Sequence, residues 1–151
     1  MSQELEIRFY NFAERSRDFC CSVKWDIVNT EYIKQLVRSS GSVSANYIEA
    51  SDDLGKADEK MKLKISRREA KESIQWLRLI LTYGNAHAET ERSWLIDEAE
   101  QIRKILSADI AQADALGYRI RLIGMAELDG HNGDARLFQR VHPFLVPMNH
   151  P

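Results

Sequence analysis

A chain of 151 residues, 44% apolar and 29% charged, has the make-up of one folded domain, since domains cluster at about 100–150 residues. Its formal charge of -2 excludes a global field that would pull in nucleic acid or anionic lipid. No run approaches the ~20 apolar residues of a membrane span, and three prolines and seven glycines leave room for long helices.

The N-terminal stretch Met1-Ser2-Gln3-Glu4-Leu5-Glu6 is polar and acidic, unlike a secretory signal. Cys20 and Cys21 are the only cysteines. Neighbours in sequence rarely reach disulfide geometry, so both are expected to be reduced thiols in a cytoplasmic protein, Cys20 in the core.

Phe9, Phe12, Ala13, Phe19, Cys20 and Val23 recur at helical spacing and predict a first helix. The stretch Trp25–Thr30 breaks it, and Thr30 is a candidate N-cap for the second. There Ile33, Leu36, Val37, Ser40, Val43, Ser44, Tyr47 and Ile48 form one stripe, ended by Ser51-Asp52-Asp53-Leu54-Gly55. A third helix is predicted from about Ala57 to Tyr83, before the turn dipeptide Gly84-Asn85. A fourth follows Thr90, with the stripe Trp94, Leu95, Ala99, Ile102, Ile105 and Leu106.

Four amphipathic helices with short connections predict an all-α fold, an antiparallel up-and-down four-helix bundle over residues 1–116. The tail, 117–151, reads differently. Tyr118, Ile120 and Leu122 alternate with Arg119 and Arg121, which is strand-like. Residues 129–134 read as a turn, and Pro143, Pro147 and Pro151 forbid a long helix at the end. A hairpin on the bundle, a partner-binding arm and disorder all fit this irregular tail.

At about 100° per residue, Ser39, Ser42, Asn46 and Glu49 lie opposite the apolar stripe of the second helix, flanked by Arg38 and Ala45. Such a small, short-chained face suits either a helix packed on two sides within its own bundle or a subunit interface. On the third helix, Met61, Ile65 and Trp76 share a face with Glu69 and Glu72, while Leu63, Ala70, Ile74, Leu77 and Leu81 form a second apolar face. Carboxylates so placed must be paired. Arg38 and Asn46 are the candidate partners in a polar network. An acid–base pair is the other reading.

No Glu-x-x-His pair and no Cys/His zinc spacing exists in the chain. The histidines fall in turn or tail regions, and no phosphate loop or nucleophile motif stands out. The turn at 129–134 lacks the alternating ligands and closing Glu of a calcium loop. Neither a catalytic residue, a metal nor a cofactor is expected. Lys60, Lys64, Arg67, Arg68 and Lys71 form a basic strip along the third helix. It is either a solvated face or, repeated around an oligomer, a contact for RNA or DNA phosphates.

Two stretches carry a family resemblance. Gln35-Leu36-Val37-Arg38-Ser39-Ser40-Gly41-Ser42-Val43-Ser44-Ala45-Asn46-Tyr47-Ile48-Glu49-Ala50 resembles the signature of the bacterial 23S rRNA intervening-sequence proteins. Arg68-Glu69-Ala70-Lys71-Glu72 with Trp76-Leu77-Arg78-Leu79 is similar to that family's Lys-Glu-Ala-x-Glu and Trp-Leu stretch, with Arg68 where Lys is usual. The resemblance covers about residues 8–112. It implies a four-helix bundle that assembles as a homo-oligomer, a pentamer in family members of known structure. A related branch, the accessory proteins of diversity-generating retroelements, binds nucleic acid and a reverse transcriptase. The expectation is a non-catalytic oligomeric scaffold or binding module, its partner another copy, an unknown protein or nucleic acid, with no membrane. The alternative is a nucleic-acid-binding accessory protein using the basic strip.

Overall fold

The computed structural model describes residues 2–52 and 55–129, with side chains as far as residue 123. It contains four helices: α1 (Gln3–Ser22), α2 (Ile27–Ser51), α3 (Lys56–Leu79) and α4 (Ala86–Asp129). No helix is long and apolar enough to cross a membrane among these residues. The chain divides after Asp114: Met1–Asp114 is one unit, a helical bundle, and a second unit begins at Ala115.

Neighbouring helices of the bundle run antiparallel, which their cross-links show. Arg8 meets Glu98 and Arg15 meets Glu91, so α4 descends as α1 rises. Ser39 meets Ser73, and Val43 meets Ser66, which sets α2 against α3. Ile80 meets Arg92 and Lys60 meets Asp114, which sets α3 against α4. Phe9 packs edge-on against Tyr47, ring centroids 4.6 Å apart, linking the start of α1 to the end of α2.

The core is the inward stripe of all four helices. Phe9, Phe12, Ile33, Leu36, Leu63, Leu77, Leu95, Ile102 and Leu106 are all at most 2% exposed. Cys20 lies among them, and burial pushes its thiol up to about 12, while Cys21 is exposed. The predicted stripes were too wide at their margins. Val37, Ile48 and Trp94 are 46%, 45% and 41% exposed, because each sits at the edge of its helix's buried arc.

Local chemistry moves three helix ends from where the sequence places them. Asp26, not Thr30, caps α2: its carboxylate accepts from the backbone N–H of Val28 and Asn29 at 3.0 and 2.9 Å. Ile27 and Val28 then start the helix although both are exposed. α3 ends at Leu79 rather than near Tyr83, because the buried Asn29 side chain bonds both backbone groups of Leu81. The connection turns through Tyr83 and Gly84, both at positive φ (52° and 79°). α4 begins at Ala86, one turn before Thr90, because the Asn85 side chain accepts from the N–H of Ala88 at 3.1 Å.

The strand reading of residues 118–122 is also overturned, since α4 runs through them to Asp129. Five residues of alternation are too few to outweigh a helix already under way. Nucleation is the costly step and each added residue then gains a bond. Apolar residues of the segment also fit a helical face, with Leu116, Ile120 and Ile123 at i, i+4 and i+7. The turn expected beyond Asp129, the three tail histidines and the three prolines lie outside the described residues.

Candidate interface on the second and third helices

α2 and α3 approach through small polar residues. Ser39 and Ser73 are fully buried and their hydroxyls bond at 2.8 Å. The Ser73 hydroxyl also reaches the Glu69 carbonyl at 2.9 Å, and the buried Ser66 hydroxyl donates to the Val43 carbonyl at 2.8 Å. Each hydroxyl thus satisfies itself on backbone or on a partner serine. Short side chains leave nothing to hold the two helices apart. Ser39 is therefore inside the α2–α3 contact, not opposite the core. A hydropathy stripe counts serine as polar and so draws the buried arc too narrow.

The other residues singled out on α2 lie along the outer edge of this contact. Ser42 and Asn46 are half-buried and bond each other, with Asn46 Nδ2 donating to the Ser42 carbonyl at 2.9 Å and to its hydroxyl at 3.0 Å. Glu49 is exposed and pairs with Lys62 of α3. Arg38 is exposed.

On α3 the expected partnership changes. Glu69 is 8% exposed, and its nearest cation is Arg68, Nη2 to Oε1 at 3.5 Å. The half-buried Glu72 lies 3.8 Å from Arg68 Nε. Arg68, a neighbour in sequence, thus serves both carboxylates in place of Arg38 and Asn46. The reason is register: Asn46 lies almost a turn beyond the Val43–Ser66 level of α2 and is occupied by Ser42, while Arg38 is exposed to solvent.

Around these carboxylates the face stays open and apolar. Met61 is 56% and Leu79 40% exposed. Ile65 and Trp76 are half-buried, and Tyr32 of α2 stacks on Trp76 with ring centroids 6.3 Å apart. A second open groove lies between α1 and α2, lined by Tyr10, Ala13, Glu14, Arg17, Val37, Ser40 and Gly41.

The basic strip is partly neutralised. Lys60 is paired with Asp114 of α4, whose carboxyl is held below the ordinary range by that ammonium. Arg68 is drawn to Glu69 and Glu72. Lys64 and Lys71 are exposed, and Arg67 is half-buried. The strip therefore presents fewer uncommitted cations than its sequence suggests.

Sequence reasoning missed two two-pronged polar links between α1 and α4. Arg8 grips Glu98 with two bonds, Nε to Oε1 at 2.6 Å and Nη2 to Oε2 at 2.8 Å, and reaches Gln101 at 2.7 Å. Arg15 grips Glu91 in the same way and stacks over Trp94, 3.6 Å from the ring centre. One signal was available: Glu98 stands between Leu95 and Ile102 on the apolar stripe, and a carboxylate there demands a partner. Among the described residues, no three His, Cys, Asp or Glu side chains gather as metal ligands do.

Comparison with known proteins adds a family and a set of partial likenesses. The model of the family described as 23S rRNA-intervening sequence protein matches residues 10–108. The chain is also similar to homoserine dehydrogenase of Synechocystis sp., 29% identical over 122 residues, which are 81% of this chain and 27% of that enzyme. It is 30% identical over 118 residues to homoserine dehydrogenase of Neisseria gonorrhoeae, 78% of this chain and 25% of the relative. A shorter match, 45% over 53 residues, links it to the Mycobacterium leprae homoserine dehydrogenase, 34% of this chain and 12% of that one. The chain thus spans about a quarter or less of the length of these curated relatives. No solved structure matches it.

Proposed function

We propose, for a chain that belongs to the 23S rRNA-intervening sequence protein family, a non-enzymatic role as a cytoplasmic homo-oligomeric scaffold or binding module. The observation that carries this reading is the α2–α3 face. Met61 and Leu79 stand 56% and 40% exposed on the same side of α3 as the half-buried Ile65 and Trp76, with Ser42 and Asn46 half-buried on the neighbouring α2. Side chains of this kind gain by being covered, roughly 25 cal/mol for each Å² of apolar surface removed from water. The carboxylates on the face share one neighbouring arginine, at 3.5 and 3.8 Å, a partnership that suits a structural role better than proton transfer.

The similarity to homoserine dehydrogenases covers about a quarter or less of those enzymes and brings no dinucleotide glycine motif with it. A dinucleotide fold places its pyrophosphate on a Gly-x-Gly-x-x-Gly turn between strand and helix, and the seven glycines here never take that spacing.

Sedimentation of the full chain over a range of concentrations tests the scaffold reading. An oligomer that persists in high salt supports it. A particle that stays monomeric throughout overturns it.

A second reading, nucleic-acid binding, is favoured by Lys64 and Lys71, exposed on the outer face of α3 near Arg67 and Arg68. Mobility-shift assays with RNA and DNA at rising salt decide this one. Phosphate contacts weaken steeply with salt, by about one logarithmic unit of slope per contact, and replacing Lys64 and Lys71 by glutamine would reduce that slope.

A further inference from the structure

We propose that the partner covering the α2–α3 face is the far end of α4 from a second copy of this chain. Leu116, Ile120 and Ile123 would lie over the apolar positions of α3, and Arg119 would meet Glu69 and Glu72. This rests on the oligomeric reading above and names the segment that makes the contact.

The far end of α4 has the surface of a docking helix. α4 is 44 residues long, against 20, 25 and 24 for α1, α2 and α3. At about 1.5 Å per residue, α4 is the longest of the described helices by far. Leu116, Ile120 and Ile123 are 49%, 49% and 60% exposed. They follow one another at i, i+4 and i+7, so they share a face, and this is the anchor spacing of a helix that seats in an apolar groove. Arg119 sits beside that row, three residues after Leu116 and four before Ile123.

The α3 face is complementary in charge and order. Ile65, Glu69, Glu72 and Trp76 run apolar, acidic, acidic, apolar at i, i+4, i+7 and i+11, with Met61 and Leu79 extending the two ends. The carboxylates are short of partners. The Glu69 side chain is 10% exposed, yet its cation stands at 3.5 Å, the outer limit of a hydrogen bond, and Arg68 is itself 65% exposed. A carboxylate that deeply buried is stable only with close, well-directed donors. A second guanidinium brought between Ile65 and Trp76 supplies them, while the flanking leucine and isoleucines cover the apolar ends. The two surfaces differ, so the contact is heterologous: each copy offers a helix to one neighbour and a face to the next, which closes into a ring or propagates.

Mixing two disabled copies tests this. Ile120→Glu spoils the helix and leaves the face, and Met61→Glu spoils the face and leaves the helix. Both positions are exposed, and circular dichroism checks that each variant keeps its helices. Sedimentation is expected to show each variant losing assembly by about tenfold or more in concentration, and an equimolar mixture restoring a one-to-one pair. Three results overturn the proposal. Variants that assemble like the unmodified chain leave the oligomer standing with another contact. Monomeric variants that fail to pair on mixing show that the two surfaces are not each other's partners. An unmodified chain that is monomeric at every concentration removes the oligomeric reading as well.

Discussion

Asn29 and Leu81 exchange two hydrogen bonds across the bundle: the Leu81 N–H donates to Asn29 Oδ1 at 2.8 Å, and Asn29 Nδ2 donates to the Leu81 carbonyl at 2.9 Å. The same Nδ2 reaches the Lys24 carbonyl at 2.9 Å. One fully buried amide thus ties the α1–α2 connection to the α3–α4 connection and stops α3. Asn29→Ala is expected to cost about 2–3 kcal/mol, since it leaves these backbone groups without a partner. Asn29→Asp is expected to cost more, because a carboxylate would face two carbonyl oxygens. Urea unfolding of the three proteins checks the order.

Ser16 is fully buried and its hydroxyl has no partner, whereas Ser39 and Ser73 share a bond. Substitution by alanine is therefore expected to have opposite signs at these places. Ser16→Ala should be neutral or stabilise by up to about 1 kcal/mol, as an unpaired buried polar group is removed. Ser39→Ala should destabilise by about 1 kcal/mol, and Ser73→Ala should add little once Ser39 is gone, because the shared bond is already lost. Equal losses at Ser16 and Ser39 would contradict the assignment.

The Arg8–Glu98 pair spans the first and last helices, with side chains 35% and 10% exposed. Its two-pronged geometry is the strong form of an ion pair, though Arg8 is open enough for solvent to weaken it. A double-mutant cycle with Arg8→Ala and Glu98→Ala is expected to give a coupling of about 1 kcal/mol. Glu98→Ala should also reduce the stability of the α1–α4 contact first, seen as faster amide exchange near Phe9 and Leu95.

Asp26 governs part of the acid limb. Its carboxyl is held below the ordinary range, most strongly by the Asn29 N–H and then by the Tyr83 hydroxyl, which donates at 2.6 Å. A carboxylate lowered in the folded state adds stability that is present above its unfolded value, about 3.9, and is lost as pH falls from there through the folded value. Asp109 acts oppositely, since burial raises its pKa. Its share favours the fold in acid and is lost as pH rises through the raised value. Asp26→Asn should flatten stability against pH below about 4. Asp109→Asn should gain most at neutral pH, with the gain shrinking in acid. Denaturant midpoints across pH measure both.

The helices were legible because their cause is local. Phe9, Phe12 and Phe19, or Leu95, Ile102 and Leu106, repeat within the span of a few turns, and that spacing alone identifies a buried face. The boundaries were less so. Thr30 and Asp26 are both good caps, and the choice between them depends on whether Asn29 can reach Leu81, which lies in another helix's exit. The strand reading of 118–122 failed for a related reason, as five residues carry two periodicities and the preceding helix decided between them.

The candidate face was half visible. Glu69, Glu72, Met61, Ile65 and Trp76 stood on one side of a helix in the sequence itself, and so did the unusual smallness of Ser39 and Ser42. Composition and periodicity thus determined by themselves four amphipathic helical segments over residues 1–116 and the existence of polar groups inside them. Only the tertiary structure decided that Ser39 meets Ser73, that Glu69 leans on Arg68 rather than Arg38, and that Arg8 closes on Glu98. Helical periodicity is a property of a few consecutive residues, whereas these pairings depend on the register of helices far apart in the chain, which packing of the whole core sets to within a single turn.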